Sequence, residues 1–390
     1  MSNSLQPAGE AGLPKQNNTP SSSLKEVALV FFRLGCFAFG GPAAHIAMME
    51  DEIITKRKWM TREHFLDLIG ATNLIPGPNS TEMTMHCGHE RAGRAGLFVA
   101  GLAFIVPAVF ITGLLAYLYV QYGELPEVAP FLFGIKPAVL AIIASAVWKL
   151  GKKAVKTWEL AILGVLVIIA AFLGVHEITA LLGAGVLGTI YYLLKSKVQS
   201  APVVAPFPLI IGSLLSKTPI LKVFLTFLKV GAILYGSGYV LFAYLDAELV
   251  TKGWLTRTEL IDAIAVGQFT PGPVLSTATF IGYQLSSFWG AIAATTGIFL
   301  PSFIFVLILN PYVSKMRQSK ILGYFLDTVN VAAVAIMLAV LIVMGIESIL
   351  DWRALLIAGL SAFFVFSRWK ANVMWLILGG AIAGYLLQLI

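Results

Sequence analysis

A helix-breaking block occurs twice in this chain, at matched positions inside strongly apolar sequence. Residues 31–42 read Phe-Phe-Arg-Leu-Gly-Cys-Phe-Ala-Phe-Gly-Gly-Pro, and residues 227–238 read Phe-Leu-Lys-Val-Gly-Ala-Ile-Leu-Tyr-Gly-Ser-Gly. Trp59-Met60-Thr61 and Asp67 then lead to Pro76-Gly77-Pro78, as Trp254-Leu255-Thr256 and Asp262 lead to Pro271-Gly272-Pro273. The offset is 196 before Arg57 and 195 after it, and Gly88, Gly96 and Pro107 recur as Gly282, Gly290 and Pro301 at an offset of 194. Irregular backbone inside apolar sequence survives in lipid only where it is buried in protein or lines a cavity. Duplicated halves with interrupted helices point to a transporter whose site lies between the halves.

The surroundings are those of a membrane protein. Mean hydropathy is +0.85, 58% of residues are hydrophobic and 12% are charged, about half the usual 25% of soluble domains. Apolar stretches fall at 95–121, 127–148, 158–175, 177–195, 287–310, 321–346, 353–367 and 371–390; most approach the roughly 20 residues that cross a bilayer. No soluble domain fits between them. Residues 1–23 are polar, lack a signal-peptide pattern and read as a disordered tail. The net charge of +7 is spread over loops, which suits the positive-inside rule and not a nucleic-acid face. Cys36 and Cys87 are too few for a disulfide framework, and His86 with His89 is a weak metal signal, so no metal is expected. Walker A, HExxH and G-x-S-x-G patterns are absent from the sequence, which argues against ATP-driven transport in cis and against hydrolysis. No enzyme activity and no cofactor is expected.

The expected fold is an all-α polytopic membrane protein, with a first repeat over 24–196, a linker over 197–220 and a second repeat over 221–390. Each repeat begins with a helix (24–39, 222–235) that breaks at Gly40-Gly41-Pro42 or Gly236-Ser237-Gly238. A second arm (43–56, 239–251) and a turn follow, with Thr61 or Thr256 as N-cap of the next helix. That helix stops at Pro-Gly-Pro, a short helix restarts at Asn79 or Val274, and ordinary spans complete the repeat. Arg91, Arg94, Lys149, Lys152, Lys153, Lys156, Lys195 and Lys197 fall at alternate loops and mark the cytoplasmic side; Glu124, Glu127, His176 and Glu177 mark the other. In the second half Lys315, Arg317, Lys320, Arg368 and Lys370 oppose Glu347 and Asp351. Span 95–121 therefore runs outward while its partner 287–310 runs inward, and the repeats are inverted. Parity then requires either one net crossing within 24–56 or an irregular one in the linker; the N-terminus is expected inside and the C-terminus outside.

Four helix breaks directed at the midplane would present N-terminal N–H groups that attract anions. The candidate substrate site is Gly40, Gly41, Asn73, Pro76, Gly77, Pro78, Asn79, Ser80 and Thr81 in the first half. In the second it is Gly236, Gly238, Gln268, Pro271, Gly272 and Pro273, with Ser276 and Thr277 in the stretch that follows. Arg33 and Lys229 stand seven residues before Gly40 and Gly236, about two turns away and so on the face of the break; a central cation is rarely kept without a partner or ligand. Lys136, matched by Asn330, is either cavity-facing or an interfacial anchor. Glu82 is the leading proton-coupling candidate, having no acidic counterpart at Thr277. Asp67 and Asp262 are proton candidates whose alternative is a structural bond; Glu52 and Glu248 also match.

These motifs resemble the chromate ion transporter family in its long two-domain form. The resemblance rests on residues 31–42, Trp59, Ile75-Pro-Gly-Pro-Asn-Ser-Thr-Glu (75–82), Gly88 with Arg91-Ala92-Gly93, and Gly-Gln-Phe-Thr-Pro-Gly-Pro (267–273), and it covers roughly 24–390. It implies a bacterial inner-membrane carrier that exports chromate, with sulfate as its look-alike, using the proton gradient. Partners implied are the oxyanion, protons, the lipid bilayer and a second copy of the chain in a homodimer. Asn73 in place of the family's Gln, Lys229 in place of Arg, and the missing proline in 236–238 mark the halves as specialised. The competing readings are an oxyanion uptake carrier, for example for sulfate, and a non-transporting membrane sensor or scaffold.

Overall fold

The computed structural model describes residues 20–196, 219–235, 238–310, 319–367 and 372–389. Most of the tail and the linker, and Gly236 at the second break, lie outside the described residues. Among those described there are fourteen α-helices and no strand. The first half comprises α1 (Pro20–Phe37), α2 (Gly41–Met49), α3 (Arg62–Thr72), α4 (Asn79–Tyr122), α5 (Ala129–Ala154), α6 (Trp158–Phe172) and α7 (Glu177–Ser196). The second repeats the series as α8 (Pro219–Ile233), α9 (Leu241–Leu245), α10 (Arg257–Phe269), α11 (Thr277–Leu309), α12 (Lys320–Ser348), α13 (Trp352–Phe366) and α14 (Val373–Gln388). Both α2 and α9 run on into a π-helical turn, Glu50–Lys56 and Asp246–Val250. The hydroxyls of Thr61 and Thr256 accept from the backbone N–H of His64 and Glu259, and Thr256 completes a capping box with Glu259. Five helical segments are long and apolar enough to cross a membrane, and three shorter ones are apolar.

The duplicated glycines have a local purpose. Ala92 (φ −143°) and Gly93 (φ 62°) turn the chain sharply inside α4, and Ser286 and Ser287 do the same inside α11. The short limb 79–91 thereby folds back on 94–122. Gly88 and Gly96 meet across that turn, where a Cβ on Gly88 would lie 2.4 Å from the Gly96 carbonyl oxygen; Gly282 and Gly290 repeat the contact at 2.3 Å. Only bare backbones approach so closely.

Ion pairs fix which ends of the helices lie together. At one end the Glu26 carboxylate, near the start of α1, accepts from Arg57 and Arg91, each at 2.8 Å. His64 lies 3.1 Å from Glu90, Lys156 2.6 Å from Asp327 and Lys195 2.9 Å from Glu159. At the opposite end His176 approaches Glu248 at 3.6 Å and Arg257 pairs with Glu347. Both hairpins of the first half, 20–57 and 62–91, thus return to the end they left, and α4 then crosses. The second half does the same from the opposite end, so α11 runs against α4 and the repeats are inverted. Segment 24–56 makes no net crossing. α7 ends at the basic end, and α8 begins at the other.

The halves are interlocked. Within each, α1 packs on α4 and α8 on α11, while α4 and α11 pack on each other across the pseudo-two-fold axis. The closing spans are exchanged: α5 packs against α13 and α14, and α12 against α6 and α7. A Cβ on Gly134 would meet the Gly380 carbonyl oxygen at 2.0 Å, and one on Gly188 would meet Thr328 at 2.2 Å. Such small-residue contacts carry helix association in lipid, where apolar burial alone does not. The outer faces expose Leu114, Phe110, Ile162, Leu187, Phe363 and Ile382, with Trp158, Trp289, Trp352 and Trp375 also outward. An apolar jacket with interfacial tryptophans suits a bilayer.

Candidate functional site

Each Pro-Gly-Pro docks on the break of the opposite half. The Gly77 N–H donates to the Leu234 carbonyl at the end of α8 (2.6 Å), and the Gly272 N–H donates to the Ala38 carbonyl at the end of α1 (2.9 Å). α1 and α8 leave helical geometry at those residues, which frees the two carbonyls, and the Pro-Gly-Pro turns supply the donors they lack. The exchange is reciprocal, so all four breaks meet on the pseudo-two-fold axis. A Cβ on Gly41 would come 3.2 Å from the Tyr239 hydroxyl, which adds a third contact between the two halves. Gly40, Gly41, Gly77 and Gly272 have φ of +107°, +78°, +144° and +89°, conformations that side chains beyond glycine rarely adopt.

Of the predicted site residues, Pro76, Gly77, Pro78, Ser80, Thr81, Gly238, Gln268, Pro271, Gly272 and Pro273 are buried at or beside these tips. Asn73 is exposed and Asn79 half-buried, and they form the rim of the first break, where Asn79 Nδ2 donates to Asn73 Oδ1 at 2.8 Å. Gly40 is exposed. Buried polar atoms without a hydrogen-bond partner among the described residues include Thr81 Oγ1, both Glu82 carboxyl oxygens, Ser302 Oγ and Gln268 Nε2. Such groups are uncommon in packed interiors and are compatible with a bound polar ligand or water.

Arg33 and Lys229 are not brought to the tips. The seven-residue spacing assumed an unbroken helix as far as Gly40, but α1 ends at Phe37 and α8 at Ile233. The face directed at the other half is that of Gly35, whose carbonyl oxygen lies 3.1 Å from the Cβ that Gly272 would carry. Arg33 lies about 200° around the helix from Gly35 and is exposed beside Leu29, Phe32 and Phe37. Lys229 is engaged by Glu248 at 2.6 Å, and that buried carboxylate also holds Lys252 at 2.5 Å. The matched Glu52 instead holds Arg57 and Lys56.

The second polar locus lies between the halves. Asp262 on α10 is buried, accepts from the Tyr119 hydroxyl of α4 at 2.9 Å, and lies 3.7 Å from Lys136 Nζ of α5. Lys136 therefore faces inward to an acid of the opposite repeat, whereas Asp67 is exposed. His86 Nδ1 lies 2.8 Å from Asn310 Oδ1, and Asn310 Nδ2 lies 3.0 Å from His89 Nδ1, which ties the two histidines to the end of α11. Among the described residues no cluster of three or more His, Cys, Asp or Glu has the spacing of a metal site.

Sequence reasoning missed Ser302, Tyr119 and His45. His45 is buried, and its Nε2 donates at 3.1 Å to the same Ala38 carbonyl that receives Gly272. One signal was available for Ser302: it follows the duplicated Pro301, where Pro107 is followed by Ala108.

The family model described as chromate transporter matches residues 25–189 and again 221–385. Over 391 residues, 98% of each chain, the sequence is 29% identical to the chromate transport protein of Cupriavidus metallidurans. It is 29% identical to a probable chromate transport protein of Synechococcus elongatus over 368 residues, 90% of this chain and 91% of that one. A chromate transport protein of Pseudomonas aeruginosa is 28% identical over 392 residues, 94% and 93% of the two chains. No solved structure matches the chain.

Proposed function

Because this chain belongs to the chromate transporter family, we propose that it carries chromate outward across the bacterial inner membrane, driven by the proton-motive force, by alternating access around the four breaks. The observation that carries this reading is the reciprocal docking of Gly77 on Leu234 and Gly272 on Ala38. A tetrahedral dianion needs several fixed donors and no deep charge trap. The N–H groups of the first turn of α4, with the side chains of Asn73, Asn79, Ser80, Thr81 and Gln268 around the Pro-Gly-Pro tips, are the proposed donors, and Arg33 and Lys229 are given no direct contact. Two hydrogen bonds join the tips across the axis, so rocking one half against the other exchanges them and uncovers the site to one side at a time. Lys136 and Asp262 supply a neutralised charge pair beside that path, and Glu82 is the proton carrier; Asp262, paired, and Asp67, exposed, are given no such role.

Vesicle flux tests the reading. Purified protein in everted and right-side-out vesicles is expected to move labelled chromate, with sulfate as competitor, at a rate that responds to an imposed pH gradient. Sulfate movement without chromate movement would favour the uptake carrier. Absence of any oxyanion flux in both orientations would refute transport altogether.

A further inference from the structure

The first Pro-Gly-Pro tip already holds a negatively ionisable group. Glu82 lies in the first turn of α4, and its side chain folds back along that helix to the break, as helical side chains do. A Cβ built on Gly77 would lie 2.1 Å from Glu82 Oε1 and 2.5 Å from Ser302 Oγ. The carboxyl is fully buried, and neither oxygen meets full hydrogen-bond geometry with a described residue, although the Ser302 hydroxyl lies close enough to interact with it. Facing it is the Ser302 hydroxyl of α11, the Tyr235 hydroxyl lies within electrostatic range, and no cation among the described residues faces it. A buried acid without a cation, aimed at the positive end of its own helix, stands where that end would hold an anionic ligand.

Resting on the transport reading above, we propose that Glu82 is a protonatable plug of the first break, so that the oxyanion and one proton are loaded together and travel in the same direction. An ionised carboxyl at Gly77 and a dianion at the same tip repel each other. Loading therefore requires a proton on Glu82, taken from the side that supplies the anion and released on the side that receives it. The empty carrier returns with the carboxylate restored to the tip. One chromate dianion and one proton move per cycle, a net single negative charge, so of the two parts of the proton-motive force the membrane potential, negative inside, drives export and the pH gradient, alkaline inside, opposes it. Among the described residues the second break has no such group. Thr277 aligns with Glu82 there, and its hydroxyl donates to the Val274 carbonyl at 2.8 Å. One plug implies one coupled proton, moving with the anion and not in exchange for it.

The test uses the full chain in vesicles with a trapped pH indicator, a clamped membrane potential and a chromate gradient, repeated with sulfate. In the wild type, protons are expected to move with the oxyanion in a 1:1 ratio, and flux should fall about tenfold per pH unit above its midpoint, the slope of one obligatory proton. In Glu82→Gln the chromate flux that remains should carry no protons and show a flat pH profile. Ser302→Ala should keep the 1:1 ratio and displace the midpoint, and it gives a second readout if Glu82→Gln does not fold. Protons moving against chromate, or proton movement persisting in Glu82→Gln, would overturn the plug. Wild-type oxyanion flux without protons removes the plug and leaves transport standing, whereas no oxyanion flux at all removes both.

Discussion

At the first break, Gly77 is flanked by a buried carboxyl and the Ser302 hydroxyl, and its rim carries Asn73 and Asn79. At the second, the corresponding space beside Gly272 is filled by the Ala108 methyl at 2.9 Å and the Gly35 carbonyl, and Val274 stands where Asn79 stood. The same backbone device is thus finished as a polar mouth in one half and as a dry, tightly packed pivot in the other. Even the neighbours are symmetry equivalents, since Ala108 and Ser302 follow the matched prolines. Duplication supplied two identical breaks; divergence of side chains around them allows one to handle charge while the other holds the halves in register.

Substitutions at the two glycines should separate these roles most strongly. Gly272→Ala sets a methyl against Ala108 and main chain at φ +89°, and strain plus overpacking should cost about 2–4 kcal/mol. It is expected to lower the unfolding midpoint and the amount of inserted protein. Gly77→Ala is strained as well, at φ +144°, but meets mainly the movable ends of Glu82 and Ser302, so it should lose less stability, insert more fully and lose transport. Equal loss of stability in both variants would erase the distinction. Asp262→Ala comes next: it strips Tyr119 and Lys136 of a buried partner, and breaking such a pair should cost about 3 kcal/mol. Asp67→Ala, at the exposed equivalent, should cost less than about 1 kcal/mol by the same denaturation assay. Arg33→Ala should change stability by less than about 0.5 kcal/mol and leave oxyanion KM unchanged, whereas a large rise in KM would return Arg33 to the site. One substitution should instead be a gain. Ser287 has φ +52° where the other half has Gly93, so Ser287→Gly should add about 1 kcal/mol.

Much of this architecture was legible in the residues. Apolar length gave the spans, paired glycines and prolines gave the breaks, and alternating basic loops gave the inversion. Thr61 and Thr256 were recognisable as caps because hydroxyl and N3 residue lie close in sequence. Contacts between distant segments were not legible. The docking of Gly77 on Leu234 joins residues more than 150 positions apart and leaves no periodic trace. The direction of Arg33 failed for a local reason, since helical periodicity ends with α1 at Phe37, short of the glycines used to measure its face. The closing spans carry the same apolar pattern whichever half they pack against, so their exchange could not be read from sequence.

The central claim, that the oxyanion is held where the four breaks cross, is tested most directly by thiol protection at the rim. Asn79→Cys in a Cys36→Ser background, reconstituted in vesicles, is labelled with a membrane-impermeant maleimide in sulfate or in chloride. Sulfate is expected to slow labelling several-fold at concentrations that also inhibit chromate flux, while chloride has no effect. Equal labelling rates in the two salts, in a protein that still transports, would place the anion elsewhere and contradict the account.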